Sequence, residues 1–222
     1  MIKLIAAKLF AKIIHLKNQK WINNPLYYQK KIFFNLIKKA ADTDFGKDHN
    51  FHKIKDYGDF QTEVPVRDYE GLRPYIEKML SGKASVLWPG KPLYYAKTSG
   101  TTSGVKYIPL SKASMPTHIT AARDALLNYI HKTGNADFVK GKQIFLQGSP
   151  ILEKTKGINY GRLSGIVAHY VPKYLQKSRM PSWETNCIED WETKVDAIVE
   201  ETFSENMSLI AGIPSWVQMY FE

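Results

Sequence analysis

The sequence predicts an α/β protein whose first part is mainly helical. Four short runs rich in aromatic and β-branched residues are separated by stretches in which apolar residues recur at helical spacing. These runs, each predicted to be a strand, are Leu93–Ala96, Tyr107–Leu110, Gln143–Leu146 and Leu209–Ala211. Strands that alternate with helices are typical of a sheet flanked by helices. We therefore expect a helical segment over residues 1–62 and an α/β part over 63–222.

Capping and terminating residues delimit the predicted helices. Asn24 and Pro25 suit the N-cap and first turn of one helix. Asp68 suits the N-cap of another, which Gly82 is expected to end because glycine readily adopts the left-handed conformation found after helices. The other helices are expected over residues 115–131, ended by Gly134, and over Trp191–Thr202, with a short turn near Tyr57–Phe60.

The N-terminal stretch has the pattern of a basic amphipathic helix. Lysines interrupt it too often for a secretory signal or a membrane-spanning helix. We expect its apolar face to pack on the protein's own core, and contact with a membrane surface is the alternative. The apolar positions are Ile2, Ile5, Leu9, Ile13 and Leu16, and the lysines are Lys3, Lys8, Lys12 and Lys17.

Composition limits the classes of function. The formal net charge of +10 favours an anionic partner, which could be a nucleotide, a nucleic acid or an anionic membrane. Cys187 is the single cysteine, so neither an intramolecular disulfide nor a cysteine-based zinc site is supported, and a reducing, cytoplasmic setting fits best. The histidines are scattered, and we predict no structural metal.

One loop between two predicted strands has the composition of an anion-binding site. Its glycines let backbone amides approach a phosphate, its hydroxyls can donate hydrogen bonds, and a following lysine adds positive charge. It matches neither the Walker A pattern nor a GxGxxG loop. On composition alone, a Ser/Gly turn without a ligand remains the alternative. The candidate phosphate-binding residues are Thr98, Ser99, Gly100, Thr101, Thr102, Ser103, Gly104 and Lys106.

The order of these residues resembles the phosphate-binding loop of the adenylate-forming superfamily, which includes acyl-CoA synthetases, adenylation domains and luciferases. Ser103 before the second glycine departs from the commoner form of that loop. Together with three other segments, it gives a resemblance over most of the chain to the Gretchen Hagen family of auxin-responsive acyl-acid amido synthetases. The segments are Val64–Tyr69, Asp190–Lys194 and Gly212–Trp216.

This resemblance implies part of the large N-terminal domain of an adenylate-forming enzyme, with the C-terminal lid domain absent. It implies activation of a carboxylic acid by ATP and Mg²⁺ as an acyl-adenylate, then transfer to an amino-acid amine or a thiol. It identifies no catalytic residue. Because family members are much longer, we expect an incomplete, inactive fragment. The rival classes are a basic nucleic-acid or membrane-binding module, although no nucleic-acid partner is expected, and a non-catalytic pseudoenzyme.

Aromatic residues outside the loop are expected to be structural. We predict that Trp183, Trp191 and Trp216 are core aromatics rather than substrate platforms. The segment Gly212–Trp216 could line an acyl pocket, or it could be a strand-to-helix turn with Ser215 as the cap.

Overall fold

The computed structural model describes residues 2–98 and 104–222. These residues group into two units, each built from separate stretches of the chain. The first unit contains the chain up to Asn18 together with Pro116–Leu152 and Gly161–Glu222. The second contains Gln19–Met115 and Glu153–Tyr160. The predicted division between residues 62 and 63 follows the order of elements along the chain, whereas each unit combines separate stretches. That division stays a prediction.

The elements alternate as expected for an α/β protein. The helices are α1 (Ile2–Ile22), α2 (Pro25–Ala40), α3 (Asp44–Asp48), α4 (Tyr57–Glu63), α5 (Tyr69–Leu80), α6 (Met115–Thr133), α7 (Leu163–Ala168), α8 (Lys173–Gln176), α9 (Trp183–Cys187), α10 (Trp191–Thr202) and α11 (Pro214–Phe221). The strands are β1 (Tyr94–Lys97), β2 (Tyr107–Leu110), β3 (Lys142–Leu146), β4 (Glu153–Thr155), β5 (Ile158–Gly161), β6 (Arg179–Met180) and β7 (Met207–Gly212).

The second unit combines α2 to α5 with a four-stranded sheet of order β2-β1-β5-β4. Within this sheet, β1 and β2 are antiparallel, with Tyr94 opposite Leu110 and Lys97 opposite Tyr107. Helix α5 begins where predicted, because the Asp68 carboxylate accepts a hydrogen bond from the Gly71 N–H at 2.9 Å. The antiparallel pair therefore holds Lys97 and Tyr107 at the two ends of the loop that the sequence singled out.

The first unit contains a parallel three-stranded sheet of order β6-β3-β7. Ile144 and Leu146 of β3 are buried in a cluster with Ile198 of α10. Successive side chains of a strand point to opposite faces, so these two residues share the face that α10 covers. Burial of such aliphatic side chains stabilises the unit by about 1.5–3 kcal/mol each.

Helix α1 packs through a different face from the one predicted. Ala11 and Ile14 are buried against α6, and Leu4 and Ala7 pack on the same cluster. The five predicted apolar positions, from Ile2 to Leu16, are instead exposed to solvent. The helix thus has two apolar faces, and the expectation that the more prominent one packs on the core is wrong.

Most of the observed element boundaries agree with those predicted from the sequence, and the elements that were not predicted are small. The predicted strands match β1, β2, β3 and β7 to within two residues, and the bounds of α10 and β2 are as predicted. The sequence did not predict β6 or the hairpin formed by β4 and β5, nor that the strands divide between two sheets. Within the described residues, no helix is both long and apolar enough to span a membrane.

Candidate phosphate-binding site

The candidate loop connects β1 to β2, and its base is closed by backbone hydrogen bonding. The Thr98 N–H donates to the Lys106 carbonyl at 3.1 Å, which continues the antiparallel ladder by one step beyond the pair of Lys97 and Tyr107. The predicted site residues Ser99, Gly100, Thr101, Thr102 and Ser103 lie outside the described residues. The structure therefore brings Thr98, Gly104 and Lys106 to one end of the hairpin.

Gly104 has a backbone conformation that favours glycine. Its φ is +78°, in the left-handed region, where a side chain on an L-residue is strained. No described atom lies within 4 Å of the position that a Cβ would occupy, so the backbone torsion rather than a lack of space explains the glycine. A glycine with positive φ is typical of turns in which successive backbone N–H groups can face an anion.

Lys97, at the other end of the loop, is held by the β4–β5 hairpin. Its ammonium forms an ion pair with Glu153 at 2.6 Å and lies 4.8 Å from the centroid of the Tyr160 ring. The Tyr160 hydroxyl donates to the same carboxylate at 2.8 Å. The hydrogen bond to Glu153 raises the pKa of Lys97, and that from Lys97 lowers the pKa of Glu153. Lys97 therefore anchors the β1 end of the loop.

Lys106 has a different environment, because none of the ion pairs within the described part of the chain includes it. Its ammonium lies 5.5 Å from the centroid of the Tyr69 ring, on the first turn of α5. The nearby carboxylate of Glu70 is engaged by Arg73 at 2.6 Å. Of the two lysines that flank the loop, Lys106 is the one whose charge is available to a ligand.

Tyr69 also positions the β2 end of the loop. The backbone N–H of Tyr107 donates to the Tyr69 hydroxyl at 2.9 Å. The same tyrosine thus contacts Lys106 through its ring and the following residue through its hydroxyl. This gives a structural reason for the Val64–Tyr69 segment, which the sequence linked to the loop only by family resemblance.

Sequence reasoning missed three residues that support the site: Tyr69, Glu153 and Tyr160. The hairpin carrying Glu153 and Tyr160 could have been found from Lys156-Gly157, since a two-residue turn ending in glycine is typical of tight hairpins. Both turn residues have positive φ, at 46° and 83°. No pattern in the sequence indicated that Glu153 would pair with a lysine 56 positions earlier.

A cleft of about 200 Å³ lies at the opposite end of the β1–β2 pair. It is lined by Met79, Leu87, Trp88, Pro89, Gly90, Lys91, Pro92, Pro109, Ser111 and Ser114. Because Leu110 pairs with the first residue of β1, this cleft is separated from the loop by the length of the strands. Over residues 2–98 and 104–222, no group of three or more His, Cys, Asp or Glu side chains is arranged to hold a metal ion.

The two other family-like segments meet in the first unit. The rings of Trp191 in α10 and Trp216 in α11 stack at 4.0 Å and pack on the core cluster around Ile144. The prediction that these two are core aromatics is confirmed. For Trp183 it is wrong, because that ring is half exposed and contacts His169 edge-on. Ser215 does not cap α11, since Ile213 occupies the N-cap and Pro214 begins the helix.

Lys194, also in α10, is buried without a carboxylate partner in the described residues. Its side chain is 1% exposed, and its ammonium donates to the Asn186 carbonyl at 2.6 Å. Burial lowers its pKa from 10.5 to about 8. The Asp190 carboxylate accepts from the Thr193 N–H at 2.9 Å and thereby caps α10. The segment Asp190–Lys194 therefore has a structural role in this unit.

These features define an α/β protein with a hairpin loop suited to an anion. A family model described as the GH3 family N-terminal domain matches residues 17–195, and the chain therefore belongs to the GH3 family. This confirms the resemblance found in the sequence.

The similar proteins are plant enzymes that are considerably longer. Indole-3-acetic acid-amido synthetase GH3.3 of Arabidopsis thaliana is 28% identical over 87 residues, covering 39% of this chain and 15% of that protein. Jasmonoyl-L-amino acid synthetase JAR4 of Nicotiana attenuata is 24% identical over 163 residues, covering 72% and 27%. The solved structure of GH3.15 acyl acid amido synthetase superposes with a TM-score of 0.74 at 17% identity, over 94% of this chain and 38% of that one. The chain thus spans well under half the length of these relatives, and the superposition confirms the predicted fold.

Proposed function

We propose that this chain supplies the phosphate-binding part of an acyl-acid amido synthetase that activates its acid with ATP. The observation that carries the proposal is the pair of lysines that flank the loop: Lys97 is paired with Glu153, whereas Lys106 forms no ion pair with a described residue. A free lysine beside a glycine with positive φ suits a polyanion. The relatives are named amido synthetases, which favours an amine over a thiol as the acceptor.

In the proposed reaction, a carboxylate oxygen of the acid attacks the α-phosphorus of ATP. The bond to pyrophosphate breaks, and an acyl-adenylate forms. The nitrogen of an amino acid then attacks the acyl carbonyl, the bond to AMP breaks, and an amide results. No covalent bond to the protein is required. Catalysis then depends on placing two anions next to each other and on offsetting their charge.

The residues at and around the loop contribute to ATP binding in different ways. Lys106 contacts a phosphate oxygen of the β- or γ-group, and the backbone around Gly104 contributes N–H donors. Tyr69 and the pair of Lys97 and Glu153 fix the two ends of the loop. The hydroxyls of Thr101 and Thr102 donate further hydrogen bonds, as predicted from the sequence.

Mg²⁺ belongs to the proposal through the nucleotide. This ion retains several waters and is commonly bound by substrate phosphates with one or two carboxylates. Since the described residues offer no metal-binding cluster, the phosphate oxygens would be its main ligands. Lys106 and the ion would both offset the negative charge of the phosphates. A cytoplasmic location is also proposed, supported by the lone Cys187.

The test compares two lysines at the ends of β2. Lys106→Ala removes the proposed phosphate contact, and Lys112→Ala, at an exposed lysine beyond β2, is the matched control. ATP binding is measured by calorimetry, and pyrophosphate release is measured with indole-3-acetate and jasmonate, the acids that the relatives' names suggest. We expect Lys106→Ala to weaken ATP binding by about tenfold or more, as for loss of a hydrogen bond to a charged group, and Lys112→Ala to have no effect.

Two results would count against the proposal. Equal ATP affinity in the two variants would mean that the phosphates bind elsewhere. If the complete enzyme bound ATP without carboxylate-dependent pyrophosphate release for any acid tried, the pseudoenzyme alternative would be favoured. Tight, salt-dependent binding of nucleic acid in a mobility-shift assay, with no binding of ATP, would instead favour the nucleic-acid-binding module.

A further inference from the structure

The outward face of α1 is an apolar stripe that the fold leaves uncovered. Its members are 53% to 83% exposed and are Ile2, Ile5, Leu9, Ile13 and Leu16. They recur every three or four residues, which places them on one side of an α-helix. The opposite side, with Ala11 and Ile14, packs on α6. The attachment of α1 to its unit therefore does not use the stripe.

Lysines border this stripe on both sides. At 100° per residue, Lys8 and Lys12 fall on one side of the stripe, and Lys3 and Lys17 fall on the other. All four are exposed, and α1 contains no Asp or Glu. Among the described residues, no ion pair involves a lysine of α1. The outer face thus combines aliphatic side chains with lysines that form no ion pair with a described acidic side chain.

The charge of the whole chain is concentrated in this region. Residues 1–41 contain nine lysines and no Arg, Asp or Glu, so they carry nine of the ten net positive charges. The rest of the chain has a net charge of +1. A partner for the outer face of α1 must therefore be anionic, and it must also accept five large aliphatic side chains.

We propose that the outer face of α1 binds the surface of an anionic lipid bilayer. The aliphatic side chains would enter the boundary between head groups and acyl chains, and the lysine stems would extend along them so that the ammonium groups reach the lipid phosphates. The stripe from Ile2 to Leu16 is about 21 Å long, at about 1.5 Å per residue, and lies in the plane of the surface. A nucleic acid would use the lysines but would leave the stripe in water.

This inference does not depend on the phosphate-binding loop. The family match begins at residue 17 and assigns no role to the stripe. The binding can be measured without ATP or any acid.

The test is flotation of the purified protein with lipid vesicles. One set of vesicles contains phosphatidylcholine alone, and the other contains phosphatidylcholine mixed with phosphatidylglycerol. Ile5→Glu/Leu9→Glu places two negative charges in the stripe. Phe203→Glu is the matched control, because Phe203 follows α10 and is 89% exposed. We expect binding to the anionic vesicles, about tenfold or more weaker in the double variant and unchanged in the control.

Charge is tested separately with Lys8→Gln/Lys12→Gln. This variant keeps the stripe and should bind the anionic vesicles several-fold more weakly, with a smaller dependence on salt. Equal binding of the original protein to the two kinds of vesicle, or to neither, would overturn the proposal.

Stability and size measurements exclude other partners of the stripe. The double variant should unfold at the same temperature as the original protein, because its substitutions lie in solvent. A large fall in that temperature would show that another part of the protein covers the stripe. A dimer that dissociates in the double variant would show that a second copy covers it. Either result would refute lipid binding as the role of this face.

Discussion

Replacing Lys194 by methionine gives a quantitative test of the first unit. The side chain is 1% exposed, and its pKa is lowered from 10.5 to about 8 by burial. A difference of about 2.5 pKa units corresponds to about 3 kcal/mol. That is the free energy by which the buried positive charge opposes folding near neutral pH. Methionine has a similar length and no charge, so Lys194→Met removes this opposition.

The direction of the pH effect follows from proton binding. Below about pH 8 the ammonium is protonated in both the folded and the unfolded protein. The free energy of unfolding is then lower than at high pH, where the side chain is neutral in both states. Between about pH 8 and 10.5 the unfolded chain retains the proton that the folded protein releases. The free energy of unfolding attributable to Lys194 should therefore rise by about 3 kcal/mol across this window. It should fall by the same amount as the pH is lowered from about 10.5 to 8.

The variant also loses a hydrogen bond. The Lys194 ammonium donates to the Asn186 carbonyl at 2.6 Å, and an unpaired buried carbonyl costs about 1–3 kcal/mol. Near neutral pH the loss of this bond and the removal of the charge act in opposite directions, so the net change should lie within about 2 kcal/mol of zero. The slope with pH separates the two effects, because the hydrogen-bond loss does not titrate.

Urea unfolding followed by tryptophan fluorescence measures this slope. The stacked rings of Trp191 and Trp216 report on the unit that contains Lys194. The difference between the original protein and Lys194→Met should change by about 3 kcal/mol between pH 7 and 10.5. Lys173→Met, at an exposed lysine in α8, should show no such change. A difference that stays constant with pH would refute the argument that Lys194 is charged and buried.

Two further predictions concern the loop. In the complete enzyme, Thr101→Ala/Thr102→Ala should lower kcat/KM for carboxylate-dependent pyrophosphate release and leave folding nearly intact. The expected loss is about one to two powers of ten for each hydrogen bond, at about 1.5–3 kcal/mol each. Unchanged release would mean that this loop is only a turn. Tyr69→Phe leaves the Tyr107 N–H without its acceptor and should raise the KM for ATP several-fold, while Tyr174→Phe, at an exposed tyrosine, should not. Equal KM values in these two variants would show that the hydroxyl of Tyr69 does not position the loop.

Local sequence signals predicted the elements whose causes are local. Helix α10 has its predicted bounds because Asp190 caps the first turn and apolar residues recur at helical spacing through Ile198. The end of α6 was equally predictable, since Gly134 has a φ of +70° and its N–H donates to the Ile130 carbonyl at 2.8 Å. The small hairpin of β4 and β5 was missed because each strand is too short to show an alternating pattern.

The sequence by itself determined the α/β class, the family and the segment proposed to bind phosphate, since these depend on residue order and on spacing along the chain. The sequence also selected Lys106 as the candidate lysine of that segment. Only the tertiary structure showed that Lys97, at the other end of the loop, is paired, because the β4–β5 hairpin brings Glu153 to it. Helix α1 is a second case in which the sequence alone was not sufficient. Helical spacing reveals two apolar faces, but which face is buried depends on where α6 packs, and that contact joins residues more than a hundred positions apart.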